Sequence, residues 1–595
     1  MPSVEDVAWD LEPLVHGRGR AGVDDALKEA AEIAGEIAGS IRGTIAELDA
    51  GRLASVMTQL AKVHDLVGRA GSYAMLAYSV NTLDADAGAL LQRVQEESTA
   101  IMTQLIFFDL EWAAVADEKA EALLGEERLA FCAHHLRSTR RYRPHLLSEP
   151  EERLDAEKDV TGRNAWVRLF SELTSAISVE LPDQGAVSLE QGLSLLQSPD
   201  RDVRRTAASA VTEGLLPGLR TRAYVFNTLL ADKAADDRLR NYPAWISSRN
   251  LANEATDESV QALIDAVQSR YDIPQRWYRL KAQMLGMERL ADFDRMASVV
   301  EGDVAFDWDD ATALVLDAYR SFSPELADAA QKFFDGNWID APLRPGKRPG
   351  AFCSYTVPSH HPYLLLNWTN RRRDVLTLAH EMGHGLHAYL ARPQGVFHQS
   401  TPLTLAETAS VFGETVTFGR LLDRTDDPND RLGLLAESIE GSIATVFRQV
   451  AMNRFEHAVH TARREEGELS VDRFGDLWAM SQQDMLGDAV EVTQGYRSWW
   501  SYIPHFIGTP GYVYAYSYGQ LLALSVYRRY QEVGAGFVPR YLEMLAAGGS
   551  LAPKELGRIV DCDLGDPDFW HGGLAIVDDQ LSQAERAARE AGRLT

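Results

Sequence analysis

The spacing of apolar positions along the chain predicts helices far more often than strands. Apolar residues recur at helical intervals in several segments rich in Ala, Leu and Glu. These segments are residues 22–50, 52–115, 255–290, 310–335, 430–466 and 575–592. Alternation of apolar and polar residues is scarce, and the best strand candidate is Pro362–Trp368, PYLLLNW. We therefore predict a mainly α fold with a small sheet beside the functional site.

Two stretches interrupt the helical pattern. Residues 340–350, DAPLRPGKRPG, are dense in Pro and Gly and are predicted to form a loop. A second break lies near residues 185–200. It predicts a division into an N-terminal helical domain over residues 1–190 and a second domain over residues 191–595, which holds the candidate chemistry.

Composition and charge exclude several classes of protein. The chain has 595 residues, of which 45% are hydrophobic and 25% charged, as in an ordinary soluble globular protein. The net charge of −28 argues against a nucleic-acid or anionic-membrane partner. No basic region followed by an apolar run is found in the first residues, so we expect no signal peptide, and no apolar run approaches the roughly 20 residues that span a bilayer. Three widely spaced cysteines fit a reducing compartment, so we expect a cytoplasmic protein of undetermined oligomeric state.

A candidate metal site lies in the segment DVLTLAHEMGHGLHAYLARP, which is predicted to form one helix. Asp374 is expected to cap its start, or alternatively to contact a ligand histidine. His380 and His384 are four residues apart, so both project from one face and can bind the same ion. Glu381 is adjacent and can reach a water molecule beside that ion. The HExxH pattern therefore predicts a single zinc ion and metal-assisted hydrolysis.

A catalytic zinc site usually needs a third protein ligand. The pattern HExxHxxGxxH is excluded, because residue 387 is His and residue 390 is Leu. Glu407 is the better candidate, since it is an isolated carboxylate among apolar residues of the next predicted helix. Glu414 is predicted either to orient a ligand histidine or to form a surface salt bridge. His387 could contact a ligand or the substrate, or be a packed histidine.

A second group of polar donors is predicted in residues 496–522, YRSWWSYIPHFIGTPGYVYAYSYGQLL. The segment contains six tyrosines and His505. Aromatic runs often pack in a core, but the sequence GTPG at residues 508–511 is typical of a loop. A loop that carries His and Tyr side chains is suited to donate hydrogen bonds to a developing oxyanion. Its glycines would allow it to move when substrate binds.

Taken together, four segments resemble the oligoendopeptidase F branch of the thimet oligopeptidase family of zinc metallopeptidases. In chain order they are GAFCSYTVPSHHPYLLLNW, LTLAHEMGHGLH, PLTLAETASVFGE and HFIGTPGYVYAYSYG. Weaker similarity upstream extends the resemblance to almost the whole chain. The resemblance implies an elongated helical clam-shell with a deep substrate channel and zinc on the channel floor. It also implies a metalloendopeptidase that hydrolyses internal bonds of short oligopeptides.

The resemblance also assigns roles to individual residues. His380, His384 and Glu407 become the zinc ligands, and Glu381 becomes the general base. The donors to the transition state that match best are His505, Tyr512 and Tyr516. The GTPG loop departs from the family pattern in length and content, so Tyr514 is kept as a reserve donor.

Three further expectations concern function. The strand around residues 364–367 is predicted to hold the peptide backbone by β-augmentation. An exopeptidase that uses the same zinc chemistry is one alternative function. A peptide-binding scaffold without activity is the other, although every expected catalytic residue is present.

Overall fold

The computed structural model of the chain describes residues 4–300 and 305–594. Helices account for 72% of the structure, and strands are few and short. The predicted mainly α fold with a small sheet is therefore confirmed. The α-helices of the described residues are α1 (Gly19–Ile41), α2 (Ala50–Val80), α3 (Ala85–Thr103), α4 (Ile106–Ala114), α5 (Asp117–Leu124), α6 (Ala133–Arg141), α7 (Glu149–Asp159), α8 (Arg163–Ser175), α9 (Leu189–Ser194), α10 (Arg201–Leu215), α11 (Leu219–Leu239), α12 (Ser247–Ala252), α13 (Asp257–Ser269), α14 (Asp272–Met284), α15 (Trp308–Phe322), α16 (Pro324–Asp335), α17 (Arg372–Ala391), α18 (Leu403–Asp423), α19 (Pro428–Ser442), α20 (Arg448–Glu466), α21 (Val471–Leu486), α22 (His505–Gly508), α23 (Tyr514–Val533), α24 (Val538–Ala546), α25 (Pro553–Ile559) and α26 (Pro567–Glu590).

All six predicted helical segments contain helices, but several are divided by capping residues. The side chain of Asp49 accepts a hydrogen bond from the backbone N–H of Arg52 and caps the start of α2. The helix begins at Ala50, close to the boundary predicted between the segments 22–50 and 52–115. Ser323 accepts from Leu326 N and separates α15 from α16 within one predicted segment. Short polar side chains at these positions satisfy backbone N–H groups that a helix start leaves unpaired, so they fix where each helix begins.

The strands are β1 (Ser178–Leu181), β2 (Gly185–Ser188), β3 (Leu290–Ala291), β4 (Ile339–Pro342), β5 (Phe352–Ser354), β6 (Tyr363–Trp368) and β7 (Val490–Glu491). β1 pairs with β2 in an antiparallel hairpin, and β3 pairs with β7 in parallel. The remaining three form a sheet of order β4-β6-β5, in which β6 is parallel to β4 and antiparallel to β5.

The three-stranded sheet confirms the strand prediction, and it corrects one loop prediction and one prediction about peptide binding. The predicted strand at 362–368 is β6. The loop predicted over 340–350 is wrong at its start, because β4 occupies residues 339–342 and is buried along its length. The prediction that residues 364–367 receive a peptide by β-augmentation is also wrong, since β6 is the central strand and both of its edges are already paired.

The chain folds into two compact units, each assembled from three separate segments. The first unit comprises Met1–Arg143, Asp303–Asp423 and Val526–Asp563. The second comprises Pro144–Gly302, Arg424–Ser525 and Leu564–Thr595. The predicted division into an N-terminal domain of residues 1–190 and a second domain of residues 191–595 stays a prediction.

Each unit has its own apolar core. In the first unit, Val23, Leu27 and Ile37 of α1 are at most 1% exposed and follow the helical period. In the second unit, the core contains a cluster of aromatic rings. The ring centroids of Phe506, on α22, and Phe455 are 5.1 Å apart, and the ring of Phe506 also stacks on that of Phe226. Burial of Phe506 therefore anchors the segment that also carries His505.

Among the described residues, no single helix is both long and apolar enough to cross a bilayer. One pair of segments, Ala85–Ala114 and Asp117–Leu124, passes the length and composition test together but is bent by 108°.

Candidate active site

Helix α17 carries the HExxH motif, and its start is fixed by Asp374. The carboxylate Oδ2 of Asp374 accepts hydrogen bonds from the backbone N–H groups of Thr369 (2.7 Å) and Arg371 (3.0 Å). The helix begins at Arg372, so Asp374 lies in its first turn and reaches back across the helix start. This arrangement is a capping box, and the predicted capping role of Asp374 is retained.

Three predicted ligands come together in the first unit. Nε2 of His380 lies 3.3 Å from Oε2 of Glu407, and Nε2 of His384 lies 3.5 Å from the same oxygen. One ligand atom from each residue falls within 4.8 Å of the other two. Tetrahedral coordination at about 2.0–2.1 Å would set neighbouring ligand atoms roughly 3.3–3.4 Å apart. The spacing and the two-nitrogen, one-oxygen donor set therefore fit zinc.

Helix α18 supplies Glu407, and two glycines let it approach α17 closely. A Cβ atom on Gly383 would lie 2.5 Å from Cα of Ser410 and still nearer the carbonyl oxygen of Ala409. A Cβ atom on Gly413 would overlap the hydroxyl of Tyr319. That hydroxyl donates a hydrogen bond to the carbonyl oxygen of Ala379 on α17 (2.9 Å). The small residues thus set the distance between the two helices and the position of Glu407.

Two side chains orient the ligands. The hydroxyl of Ser410 donates to Oε2 of Glu407 at 2.8 Å. Nδ1 of His380 donates to Oε2 of Glu414 at 3.1 Å, which leaves Nε2 directed to the ligand cluster. A carboxylate partner of this kind fixes the tautomer and direction of a metal-ligating histidine. The contact favours the orienting role for Glu414 over a surface salt bridge.

The electrostatics of the cluster favour a cation. Burial alone would lower the pKa of His380, but the hydrogen bond that it donates to Glu414 and the charges of Glu407, Glu414 and Glu381 raise this pKa to about 9. Burial lowers the pKa of His384 to about 4 despite the charge of Glu407. The carboxylates around the His380 ring therefore favour positive charge at this position.

Glu381 follows the first ligand histidine and is 8% exposed. Burial raises the pKa of its carboxyl to about 7, while the charge of His380 and a hydrogen bond from the backbone N–H of Cys353 act in the opposite direction. Cys353 is the middle residue of β5, which is an edge strand in the sheet order. The carboxyl that could accept a proton from water thus faces the outer side of this strand.

Several residues near the cluster could not be assigned from the sequence. Ser410 and the backbone of Cys353 contact the predicted residues, and the ring of Tyr355 lies 6.5 Å from the ring of His384. These residues lie in the segments AETAS and GAFCSY, but no periodic pattern in either segment indicates which residues contact the cluster. His387 is 3% exposed, which favours a packed histidine over a substrate contact.

The second unit contains the other predicted donors. The hydroxyl of Tyr516 lies 3.3 Å from Nε2 of His505. Ring centroids are 6.1 Å apart for His505 and Tyr512, and 5.0 Å apart for Tyr512 and Tyr516. Burial lowers the pKa of His505, so its ring is neutral near pH 7. All three side chains are half-buried and form one cluster.

Tyr514, the reserve donor, has a different environment. It is fully buried, its hydroxyl donates to Oδ1 of Asn250 (2.7 Å) and accepts from Nδ2 of Asn253 (3.0 Å). Tyr518 is also fully buried. These contacts favour core packing for the two tyrosines over the role of an oxyanion donor.

Comparison with known proteins shows which family the sequence resembles. The sequence profile of peptidase family M3 matches residues 194–575, and the profile of oligopeptidase F matches residues 111–178. Oligopeptidase PepF of Bacillus subtilis is 26% identical over 90% of this chain and 81% of its own length. Group B oligopeptidase PepB of Streptococcus agalactiae is 26% identical over 84% of each chain.

Solved structures show the same fold at lower identity. Oligoendopeptidase-F from Enterococcus faecium superposes with a TM-score of 0.70 at 23% identity, over 96% of this chain and 100% of its own. A crystal structure from Chlamydophila abortus reaches a TM-score of 0.87 at 21% identity, over 98% and 99% of the two chains. The family M3 profile matches more than half of this chain. The chain therefore belongs to peptidase family M3 and is a metallopeptidase that cleaves oligopeptides.

Proposed function

We propose that this metallopeptidase is a zinc-dependent endopeptidase that hydrolyses internal bonds of short oligopeptides. The observation that carries the proposal is the convergence of three ligand atoms within 4.8 Å of one another, beside the buried carboxyl of Glu381. His380, His384 and Glu407 would hold one zinc ion. The chemistry that zinc supplies when bound is Lewis acidity toward the scissile carbonyl and the attacking water.

Glu381 is proposed as the general base and then the general acid. Its carboxylate accepts a proton from the attacking water as the new C–O bond forms. The same carboxyl then donates that proton to the amine nitrogen as the C–N bond breaks, so the group returns to its starting state. His505, Tyr512 and Tyr516 are proposed to donate hydrogen bonds to the oxyanion of the tetrahedral intermediate.

The peptide backbone is proposed to pair with β5 instead of β6. β5 is the edge strand of the three-stranded sheet, and the backbone N–H of its middle residue, Cys353, points to Glu381. Strand addition at such an edge supplies main-chain hydrogen bonds without regard to side chains. Turnover should therefore fall when a peptide is shortened by a few residues, and equal rates for all lengths would contradict this pairing.

The proposed function is tested with an internally quenched peptide of about ten residues, blocked at both ends. Cleavage should occur inside the peptide, stop when a chelator removes the metal, and return when zinc is added. An exopeptidase would leave the blocked peptide intact but cleave the unblocked form. A binding scaffold would cleave neither form, and either result would overturn the proposal.

A further inference from the structure

Beyond the predicted donors, the second unit contains a buried carboxyl that touches the turn between α22 and α23. Glu456 of α20 is 0% exposed. Its Oε1 accepts a hydrogen bond from the backbone N–H of Gly511 at 2.8 Å. Within the part of the chain that the structure describes, its Oε2 has no hydrogen-bond partner. Glu456 is thus committed to a single backbone contact, 55 residues away in sequence.

That contact lies directly beside a proposed donor. Gly511 precedes Tyr512, and its φ of +73° is in the region that favours glycine. A Cβ atom there would lie 3.4 Å from side-chain atoms of Trp245 and Ile246, so the turn is packed against the segment that leads into α12. The hydrogen bond to Glu456 holds the plane of the Pro510–Gly511 peptide, and the next peptide plane is held by the Tyr512 N–H, which donates to the carbonyl oxygen of Thr509 at 3.1 Å. These two hydrogen bonds together hold the direction in which the Tyr512 side chain leaves the backbone.

The other two donors are fixed by separate contacts. His505 belongs to α22, where its neighbour Phe506 is buried in the aromatic core. Tyr516 belongs to α23. The residue after it, Ser517, donates a hydrogen bond from its hydroxyl to the carbonyl oxygen of Val446 at 2.9 Å. Tyr512 precedes α23 and lies on the connecting turn. The carboxyl of Glu456 therefore acts on Tyr512 more directly than on His505 or Tyr516.

A purely structural role explains Glu456 poorly. Burial of the Glu456 carboxyl costs desolvation free energy, and the single hydrogen bond from Gly511 and the charge of Arg249 offset only part of this cost. Burial raises the pKa of Glu456 to about 8, although the Gly511 N–H and the charge of Arg249 oppose this shift. The group is therefore a neutral acid near pH 7, which still offers its carbonyl oxygen to Gly511.

We propose that Glu456 is a positioning residue: its buried side chain holds the Gly511 N–H and so directs the hydroxyl of Tyr512 to the reacting carbonyl. The inference rests on the function proposed above, in which Tyr512 donates to the oxyanion. Glu456 itself does not touch the substrate. Its loss should lower kcat with little change in KM, since a misdirected donor weakens transition-state binding and leaves substrate binding intact.

Two substitutions separate the hydrogen bond from the volume of the side chain. Glu456→Gln keeps an acceptor for the Gly511 N–H, and its kcat should remain within about three-fold of the wild-type value. Glu456→Met has a similar shape and no such acceptor, and its kcat should fall by ~10-fold or more, up to the roughly 10²-fold that loss of an oxyanion donor costs. Bound zinc should be unchanged in both variants.

Val450→Ala is the matched control. Val450 lies on the same helix and is 0% exposed, but six residues at about 100° each turn it well away from the face of Glu456. The substitution should lower the midpoint of thermal unfolding without lowering kcat. An equal loss of kcat in this control would show that the effect of Glu456→Met is general destabilisation, and would overturn the inference.

A double-mutant cycle with Tyr512→Phe identifies the path of the effect. Tyr512→Phe should lower kcat by ~10²-fold. When Glu456→Met is added to Tyr512→Phe, kcat should fall by less than about a further two-fold. Equal losses in both backgrounds would mean that Glu456 does not act through Tyr512, and would overturn this inference alone.

An unchanged kcat in Tyr512→Phe would remove the role proposed for Tyr512 and this inference with it. If Glu456→Met does not accumulate as folded protein, Gly511→Ala makes the same test from the turn. The φ of +73° opposes an alanine there, so kcat should fall in the wild-type background and not in Tyr512→Phe. Equal loss in both backgrounds would again overturn the inference.

Discussion

The substitution Gly383→Ala should loosen the metal centre without touching any ligand. The added Cβ atom would lie 2.5 Å from Cα of Ser410, whereas carbon atoms in contact stay at least about 3.5 Å apart. Helix α18 must therefore move away from α17 by roughly 1 Å. Glu407 moves with α18, and metal–ligand distances tolerate only about 0.2 Å. The same displacement disturbs the Ser410 hydroxyl that orients Glu407.

We expect Gly383→Ala to weaken zinc binding by on the order of 10²-fold, similar to the loss of a residue that supports a ligand. Overpacking should also destabilise the fold by ~1–3 kcal/mol. Zinc affinity is measured by competition between the metal-free protein and a fluorescent chelator. Gly419→Ala on α18 is the control, because among the described residues no atom beyond its chain neighbours and the adjacent backbone of its own helix lies within 4 Å of the added carbon. Zinc affinity in Gly383→Ala within two-fold of the Gly419→Ala value would refute the reasoning.

Two further predictions concern buried carboxyls. Glu381→Gln should reduce peptide turnover by ~10²–10⁴-fold with one zinc still bound, because only the proton acceptor is lost; absence of zinc in this variant would indicate a structural role instead. Glu456→Gln should become more stable than the wild type as the pH rises. The wild-type group has its pKa raised from 4.5 to about 8, so the unfolded chain loses its proton first and the folded state loses relative stability between these pH values. At ~1.4 kcal/mol per pKa unit, the difference should approach roughly 3–5 kcal/mol by pH 8 and stay constant above it. A difference between the thermal midpoints of the two proteins that does not vary from pH 5 to pH 8 would contradict this pKa.

The features that could be predicted from the sequence are local ones. His380 and His384 share a face because α-helical geometry places residues four apart one above the other. The apolar period of α1 predicted a buried face for the same reason. Pro and Gly between 340 and 350 correctly indicated irregular backbone, but β4 extends to Pro342 because its pairing with β6 outweighs the local turn preference.

The features that could not be predicted depend on contacts between distant residues. Nothing in the sequence near Glu456 shows that it meets Gly511, and nothing near Gly383 shows that the backbone of Ala409 and Ser410 lies against it. The distinction between Tyr512 and Tyr514 likewise requires the positions of Asn250 and Asn253, which lie some 260 residues earlier. Such pairings arise from packing of the whole unit and have no local periodicity.

The central claim is that His380, His384 and Glu407 hold one zinc ion. It is tested most directly by titrating zinc into the metal-free protein and into the variants Glu407→Gln and Glu414→Gln. We predict one tightly bound zinc per chain in the wild type and a weakening of ~10–100-fold in Glu414→Gln, which loses only the partner of His380. Glu407→Gln, which loses a ligand, should bind more weakly still and should lose peptide cleavage in proportion. Zinc binding in Glu407→Gln that equals the wild-type value in stoichiometry and affinity would contradict the account.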